Sequence, residues 1–298
     1  MTKNMAASVR QRLLNRSRDT GERFQNLLTR YGIERLVYRL SESRHADDFV
    51  LKGANLFYVW TGQLHRPTRD LDLLRFGPAE PPDVAKVIKA VCETDVEDDG
   101  IEYRTDSVTA EFIREDKIYA GVRVKLEAEL AGAIIPIQVD VGVGDEVYPD
   151  TNSVEFPSLL DLPAPNITAY RFETAIAEKC EAMVKLGLNN SRMKDFYDIH
   201  FLSQNFEFDG EILGTSIRRT FAKRETKIGK DIPVAWTSEF ANHEDKVTQW
   251  RAFLRKSQLD APSLAEVVKE IRRFLGPVWN AIQDDRVLLG EWRQGRWE

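Results

Sequence analysis

Cysteine and histidine are scarce in this chain of 298 residues, which contains two cysteines and four histidines. Two cysteines, Cys92 and Cys180, are too few for a disulfide framework or a cysteine-rich zinc site, and the histidines follow no HExxH pattern. No apolar run approaches the roughly 18 residues that a membrane-spanning helix needs. The N-terminal stretch MTKNMAASVRQRLL also lacks the apolar core of a secretory signal. These absences predict a cytoplasmic protein with no membrane partner.

Apolar and charged residues are both abundant, at 42% and 30% of the chain, which is the balance of a globular protein with a substantial core. The length is about twice that of a typical domain, so we expect two domains. The net charge of −6 argues against bulk electrostatic binding of nucleic acid, but it leaves room for a local basic patch.

The two halves of the sequence follow different patterns. Residues 8–42 have helical apolar spacing, and we expect Gly32 to separate two helices. Strand patterns follow at 48–53, 70–77, IEYR, VTAEFIR, YAGVRVKLEAEL and 133–145, with helices at 54–62 and 81–93. Prolines mark 149–165 as a linker or wrapping loop, and the chain beyond it is mostly helical from 167 to 282. We therefore predict an α+β fold, with a mixed sheet and flanking helices in residues 1–165 and a helical domain in residues 166–298.

Three carboxylates are placed as if to hold a cation. Asp70 and Asp72 alternate with leucines in RPTRDLDLL, so a strand would place both acids on one face. Adjacent like charges are costly unless a cation sits between them, and Mg²⁺ prefers oxygen ligands of this kind. Asp140 in PIQVDVGVG is a third acid on a second strand. Three carboxylates from two strands would hold two divalent ions, whereas in the alternative interpretation Asp70 and Asp72 are solvated edge residues.

A glycine turn precedes the acid pair by 17 residues. The strand ending at Lys52 runs through Gly53 and Ala54 directly into a helix, which brings backbone N–H groups and a helix N-terminus towards a phosphate. One glycine at a strand end is common in ordinary turns, so the signal depends on its spacing from Asp70 and Asp72. This combination resembles the pattern of the nucleotidyltransferase superfamily.

The helical half carries a second group of charges. Lys179 lies within the apolar stripe of TAIAEKCEAMVKLGL, where a lysine usually extends to water. Asp195 in RMKDFYDIHFL lies on an inward-looking stripe, and a short turn between the two helices would bring Lys179 and Asp195 together. Lys194 and Asp198 are four residues apart and are candidates for a surface pair.

A basic segment follows at residues 218–230, where six lysines and arginines accompany a single acid, Glu225. The functional interpretation is a contact with NTP phosphates or an RNA backbone. The alternative is a solvated helix end.

Taken in order, the segments LKGANL, RPTRDLDLL, IQVDV, AIAEKCEAM and RMKDFYDIHFL resemble the AbiEii/AbiGii-type nucleotidyltransferase toxins, which include the MenT-like toxins of type IV toxin–antitoxin and abortive-infection systems. The resemblance spans about residues 48–230. Where the family usually has Gly-Gly or Gly-Ser, this chain has Gly53-Ala54, so one hydroxyl contact to phosphate is absent.

The resemblance implies a site in which Asp70, Asp72, Lys179 and Asp195 are catalytic. It further implies that Gly53, Ala54 and Arg224 bind nucleotide phosphates, and that Asp70 and Asp72, with Asp140, bind metal. The helical domain would close the nucleotide cleft.

The resemblance implies transfer of NMP from an NTP to an acceptor hydroxyl, with two Mg²⁺ ions as cofactors. The acceptor would be the tRNA 3′ end or another RNA, its modification would block translation, and the partner would be a helix-turn-helix antitoxin encoded nearby. Three alternatives remain open: a small-molecule or protein nucleotidyltransferase, a kinase-like phosphotransferase, and a non-catalytic nucleic-acid-binding protein.

Overall fold

The structure, a computed structural model, describes residues 4–63, 65–66, 68–78, 80–113 and 121–298. Parts of the RPTRDLDLL, VTAEFIR and YAGVRVKLEAEL segments fall outside the described residues. The chain divides into two units, the first formed by residues 1–144 and 152–169 and the second by residues 145–151 and 170–298. The domain bounds expected from the sequence, at 165 and 166, stay a prediction.

The first unit is a mixed sheet with flanking helices. Its elements are α1 Met5–Thr20, α2 Phe24–Glu42, β1 Phe49–Lys52, α3 Asn55–Thr61, β2 Asp70–Arg75, α4 Pro81–Cys92, β3 Glu102–Ile113, β4 Gly121–Leu130, β5 Ala133–Val143, β6 Asn152–Glu155 and β7 Asn166–Ala169. The seven strands follow the order β3-β4-β5-β2-β1-β7-β6. Strand β2 pairs parallel with β5 and antiparallel with β1, which confirms the expected mixed sheet.

The two faces of this sheet differ in chemistry because side chains alternate along each strand. On β5, Ile137, Val139 and Val141 are almost completely buried, while Gln138 and Asp140 on the opposite face are half-buried. Helix α2 packs on the apolar face, where Ile137 lies close to Gly32. The polar face therefore carries the predicted acids of β2 and β5.

The prediction that Gly32 separates two helices is wrong. Helix α1 instead ends at Gly21, whose φ of +72° and N–H bond to the Ser17 carbonyl form the helix C-cap. Gly32 lies inside α2, and a Cβ added there would come within 2.9 Å of Ile137 Cδ1. This glycine allows a close approach of helix to sheet, which is a packing requirement that a sequence pattern does not distinguish from a break.

Three further expectations change in detail. The IEYR and VTAEFIR segments were expected to be separate strands, but their described residues form one strand, β3, with a register shift between Arg104 and Thr109. Strand β6 lies inside the expected linker. Strand β7 occupies the expected start of the next helix, which begins at Phe172 instead. Short strands at a sheet edge give weak sequence signals because only a few residues alternate.

The second unit is mainly helical, as expected. Its elements are α5 Phe172–Leu186, α6 Met193–Asn205, β8 Phe208–Asp209, α7 Gly210–Lys223, α8 Ser238–Asn242, α9 Glu244–Ser257, α10 Leu264–Gln283, β9 Glu291–Arg293 and β10 Arg296–Trp297. Trp236, Trp279 and Trp292 are each at most 1% exposed and lie in its core. In the part of the chain that the structure describes, no helix is long and apolar enough to cross a membrane.

Candidate active site

A row of charged residues crosses four neighbouring strands of the first unit. Lys52 on β1 is paired in register with Asp72 on β2, Asp72 with Asp140 on β5, and Asp140 with Arg123 on β4. Residues paired in register on adjacent strands project from the same face, so two acids lie side by side between two cations. Asp70 lies two residues before Asp72 and therefore shares this face.

Gly53 packs directly against the side chain of Asp72. Its φ is +71°, and a Cβ added at this position would lie 2.0 Å from Asp72 Oδ2 and 2.5 Å from Asp72 Cγ. Both the left-handed backbone and the close approach exclude a larger residue. The glycine predicted as a phosphate-binding turn thus also makes the space that the Asp72 carboxylate occupies.

The backbone of Asp70 is held from two sides. Asn55, the first residue of α3, donates from Nδ2 to the Asp70 carbonyl oxygen at 2.9 Å, and the Thr68 hydroxyl donates to the same oxygen at 3.3 Å. Asn55 is 4% exposed, so the contact is well shielded from water. The turn through Gly53 and Ala54 and the start of β2 are therefore fixed to each other.

Asp140 is bound by a guanidinium group. Arg123 donates from Nε to Oδ1 at 2.9 Å and from Nη2 to Oδ2 at 2.7 Å, and Gln138 donates to Oδ1 at 3.2 Å. A two-pronged pair of this kind is strong and geometrically specific. Metal binding by Asp140 stays a prediction, and Arg123 would compete with a metal for the carboxylate oxygens.

The acid pair of β2 fits a magnesium ion. Mg²⁺ is commonly held by one or two carboxylates, with substrate phosphates and water completing its coordination. Asp70 and Asp72 supply two carboxylates on one face, and the absence of a Cβ at Gly53 makes room for the Asp72 carboxylate. Among the residues that the structure describes, no group of three or more His, Cys, Asp or Glu side chains is arranged to hold a metal. The fit therefore rests on Asp70 and Asp72 together with substrate oxygens.

In the second unit, the ammonium group of Lys179 lies between two buried carboxylates. Its Nζ is 3.1 Å from Asp195 Oδ1 and 2.9 Å from Asp198 Oδ2. Both carboxylates are 0% exposed, whereas the lysine side chain is 12% exposed. The expected meeting of Lys179 and Asp195 is present, but the interpretation of Asp198 as a surface residue is wrong. Asp198 lies one helical turn beyond Asp195 and shares its buried face.

Arg192 completes this cluster by binding Asp195 from Nε at 2.7 Å. Burial alone would raise the pKa of Asp195, but the charges of Lys179, Arg192 and Lys194 outweigh burial and hold the pKa below its usual value. Asp195 is therefore an ionised carboxylate at neutral pH. The cluster therefore contains both signs of charge, with Lys179 and Arg192 against the carboxylates of Asp195 and Asp198.

Arg224 is surrounded by acids. Its guanidinium nitrogens lie 2.9 Å from Asp145 Oδ1, 3.2 Å from Glu178 Oε1 and 3.0 Å from Glu181 Oε2. Burial alone would lower the pKa of Arg224, but Glu178, Asp145 and Glu181 outweigh it and raise the pKa. Its side chain is 14% exposed. Phosphate binding by Arg224 stays a prediction, and the contacts shown also give this arginine a clear structural role.

Two other arginines of the basic segment are paired as well. Arg218 lies 3.1 Å from Asp285, and Arg219 lies 3.3 Å from Glu146 with its guanidinium over the Tyr148 ring. Much of the positive charge that the sequence places in residues 218–230 is thus offset by acids distant in sequence. Sequence composition could not show this, because the compensating acids lie between 43 and 79 positions away.

A few site residues were missed by sequence reasoning. Lys52 and Arg123 flank the acid row, but only the strand register shows that they do. For Asp198 there was a signal, since a spacing of three residues from Asp195 places both on one side of a helix.

A mixed sheet with a glycine turn packed against an Asp-x-Asp strand is the arrangement of a nucleotidyltransferase. Residues 35–276 match the family model described as "Nucleotidyl transferase AbiEii toxin, Type IV TA system". The chain therefore belongs to the AbiEii family, as the sequence motifs predicted. Membership makes it a nucleotidyl-transfer enzyme and the toxin of a type IV toxin–antitoxin system, with an NTP substrate and an antitoxin partner.

Two solved structures share the fold. JHP933 from Helicobacter pylori has 14% sequence identity and a TM-score of 0.52, covering 88% of this chain and 94% of its own. A candidate nucleotidyltransferase from H. pylori has 15% identity and a TM-score of 0.51, covering 89% of this chain and 99% of its own. At such low identity these matches support the fold alone. No curated protein sequence matches the chain.

Proposed function

We propose that this protein is a Mg²⁺-dependent toxin that transfers NMP from an NTP to the 3′ hydroxyl of tRNA and thereby blocks translation. The observation that carries the catalytic part is the packing of Gly53 against Asp72, on the face that also carries Asp70. The tRNA acceptor and the translational block come from the family resemblance.

In the proposed reaction, the acceptor hydroxyl oxygen attacks the α-phosphorus of the NTP. A new P–O bond forms, the bond between the α-phosphorus and the α,β-bridging oxygen breaks, and pyrophosphate leaves. Bound Mg²⁺ would lower the acceptor hydroxyl's pKa and offset charge on the phosphates. Asp70 and Asp72 would hold the cation, and the hydroxyl proton would pass to solvent or to one of these carboxylates.

The remaining residues are proposed to position the nucleotide. The backbone at Gly53 and Ala54 offers N–H groups to phosphate, although Ala54 has no hydroxyl to add a contact. Lys179 is proposed to bind the NTP phosphates, since a compact ammonium suits a point contact. The buried carboxylates of Asp195 and Asp198 fix the position of that ammonium.

The test is incubation of the protein with Mg²⁺, total RNA and each α-³²P-labelled NTP in turn, with γ-³²P-ATP in a parallel reaction. We expect label in a tRNA-sized RNA band, dependent on metal and absent with Asp72→Asn. Label on protein or on a small molecule would show that the acceptor is not RNA but that the reaction is still nucleotidyl transfer. Label transferred only from γ-³²P-ATP would establish the kinase-like alternative, and no transfer from any nucleotide would favour the non-catalytic one.

A further inference from the structure

The first 30 residues carry a positive charge that contrasts with the rest of the chain. They contain seven lysines and arginines against two acids, a net charge of +5, whereas the remaining residues have a net charge of −11. Four of these arginines, Arg10, Arg12, Arg16 and Arg18, lie on α1, and Arg23 follows in the turn before α2. These five residues are called the α1 arginines below.

The α1 arginines are exposed and lack carboxylate partners within the described part of the chain. Four of them are exposed, and Arg12 is half-buried. Over the described residues up to 34, the only arginine in an ion pair is Arg30, which lies 2.8 Å from Glu22. This differs from the second unit, where Arg218, Arg219 and Arg224 each bind an acid. Arg10 and Arg18 lie on one side of α1, and Arg12 and Arg16 lie on another. Guanidinium charge that no nearby carboxylate offsets is the electrostatic footprint of a polyanion-binding element.

Two of the α1 arginines, Arg10 and Arg16, are held in place by uncharged groups. Arg16 donates to the Leu159 carbonyl oxygen at 2.9 Å, and the Arg10 guanidinium lies 5.7 Å from the centre of the Phe24 ring. Arg12 has a buried Nε without a hydrogen-bond partner among the described residues. Contacts of this kind orient a guanidinium without neutralising it, so its charge remains available to a phosphate.

Arg16 lies close to residues that lead to the β2 acids within the first unit. Its partner Leu159 lines a small pocket together with Arg30, Asn55 and Thr68. Asn55 and Thr68 hold the carbonyl oxygen of Asp70. A phosphate bound at Arg16 would therefore lie on the side of the unit that carries the turn before the β2 strand.

We infer that the α1 arginines dock the phosphate backbone of the RNA acceptor. This inference rests on the proposed function for the identity of the polyanion. An anionic membrane surface is the weaker match, because a membrane-bound helix needs an apolar face to insert, and Val9 and Leu13 of α1 are 0% exposed within the fold. Nucleic-acid binding by guanidinium groups requires no such face.

The test is direct binding of fluorescein-labelled bulk tRNA to the full chain without NTP, measured by anisotropy across a salt series. The test variant is Arg10→Gln, Arg18→Gln, Arg23→Gln, which removes three exposed charges. The matched control is Lys223→Gln, Lys227→Gln, Lys230→Gln, which removes three exposed charges from the basic segment that the sequence singled out. Should the test variant melt early, Arg18→Gln, Arg23→Gln keeps the Arg10 contact with Phe24.

We expect the test variant to weaken tRNA binding about tenfold at low salt and to reduce the magnitude of the salt slope by about 2, with the control near wild type. Equal losses of tRNA affinity in both variants would show that only the net charge matters, and would overturn the inference. Unchanged tRNA affinity in the test variant would also overturn it. Tighter α1-dependent binding to phosphatidylserine vesicles or duplex DNA than to tRNA would also overturn it. Docking would stand, even if no nucleotidyl transfer were found, if α1-dependent tRNA binding persisted.

Discussion

The β2 acids of the first unit and the buried acids of the second unit show two different ways of placing carboxylates. Asp70 and Asp72 are half-buried and lie on the polar face of a sheet, with a glycine clearing space beside one of them. Asp195 and Asp198 are fully buried and share one ammonium group. The first pair is suited to an incoming cation, because ligands can approach it. The second pair is compensated within the fold, so its charges fix the position of Lys179 at the same time as they stabilise the helices.

Among the changes that test this difference between the two acid pairs, we expect the largest effect on stability from replacing Lys179. Lys179→Met removes a cation shared by two buried carboxylates, and we expect a loss of about 3–5 kcal/mol in the free energy of unfolding, together with loss of activity. Urea denaturation followed by circular dichroism measures the first effect, and Mg²⁺-dependent pyrophosphate release measures the second. The matched control is Lys256→Met, at an exposed lysine of the same unit, which we expect to change both values little. A Lys179→Met enzyme with normal turnover would refute the phosphate-binding role.

At the β2 acids we expect turnover to fall without a loss of stability. Asp72→Asn keeps the shape of the side chain and removes a charge, so turnover should fall about 10²–10³-fold, which corresponds to about 3–4 kcal/mol of transition-state stabilisation. The melting temperature should stay unchanged or rise, because a like-charge contact with Asp140 is relieved. Asp161→Asn, in the same unit and remote in sequence from the acid row, serves as the control. A folded Asp72→Asn protein with near wild-type activity would place the site elsewhere.

Gly53→Ala tests whether close packing, rather than charge, shapes the first site. A Cβ would meet the Asp72 carboxylate and would also strain a backbone with φ of +71°. We expect about 1–2 kcal/mol of destabilisation and a tenfold or greater loss of turnover. Gly62→Ala has a similar φ but open space around its Cβ, so it should show the backbone cost alone. Equal loss of turnover in the two variants would remove the special role of the contact with Asp72.

At Arg224, a structural role and a phosphate-binding role predict different outcomes. If its contacts with Asp145, Glu178 and Glu181 dominate, Arg224→Met should lower the free energy of unfolding by about 2–3 kcal/mol, while the same change at exposed Lys230 should cost under about 0.5 kcal/mol. If phosphate binding dominates, the KM for NTP should rise without a matching loss of stability. Denaturation and steady-state kinetics on the same preparations separate the two.

The smallest effect is expected in the pH dependence of stability. The folded-state pKa of Asp195 lies below the unfolded value of about 3.9, so its contribution is present above that pH and is lost as pH falls through the folded value. Removing Lys179 should raise the folded pKa and shrink this acid-side loss. The slope of unfolding free energy between about pH 4 and pH 2.5 should therefore be flatter in Lys179→Met than in the wild type. An identical slope would contradict the coupling between Lys179 and Asp195.

Much of the fold could be predicted from local patterns. The alternation in DLDLLR is strong enough to define β2 and to place Asp70 and Asp72 on one face, and the apolar spacing in AIAEKCEAM defines α5. Gly53 was found by its position between strand and helix. Errors arose where one residue type serves two purposes, as with Gly32, which was taken for a helix break but permits close packing of α2 on β5.

The charge partners were decided by the tertiary structure. The sequence by itself determined which acids lie on which face of a strand or helix, because these periods are local properties of the backbone. It could not determine that Arg123 binds Asp140, that Asp198 is buried against Lys179, or that distant acids surround Arg224. Strand register and helix packing bring those groups together across long stretches of chain, and Coulomb interactions depend on distance in space. For the same reason, the two basic regions could not be told apart by sequence. In the folded chain, three arginines of residues 218–230 bind acids, whereas the α1 arginines lack carboxylate partners among the described residues.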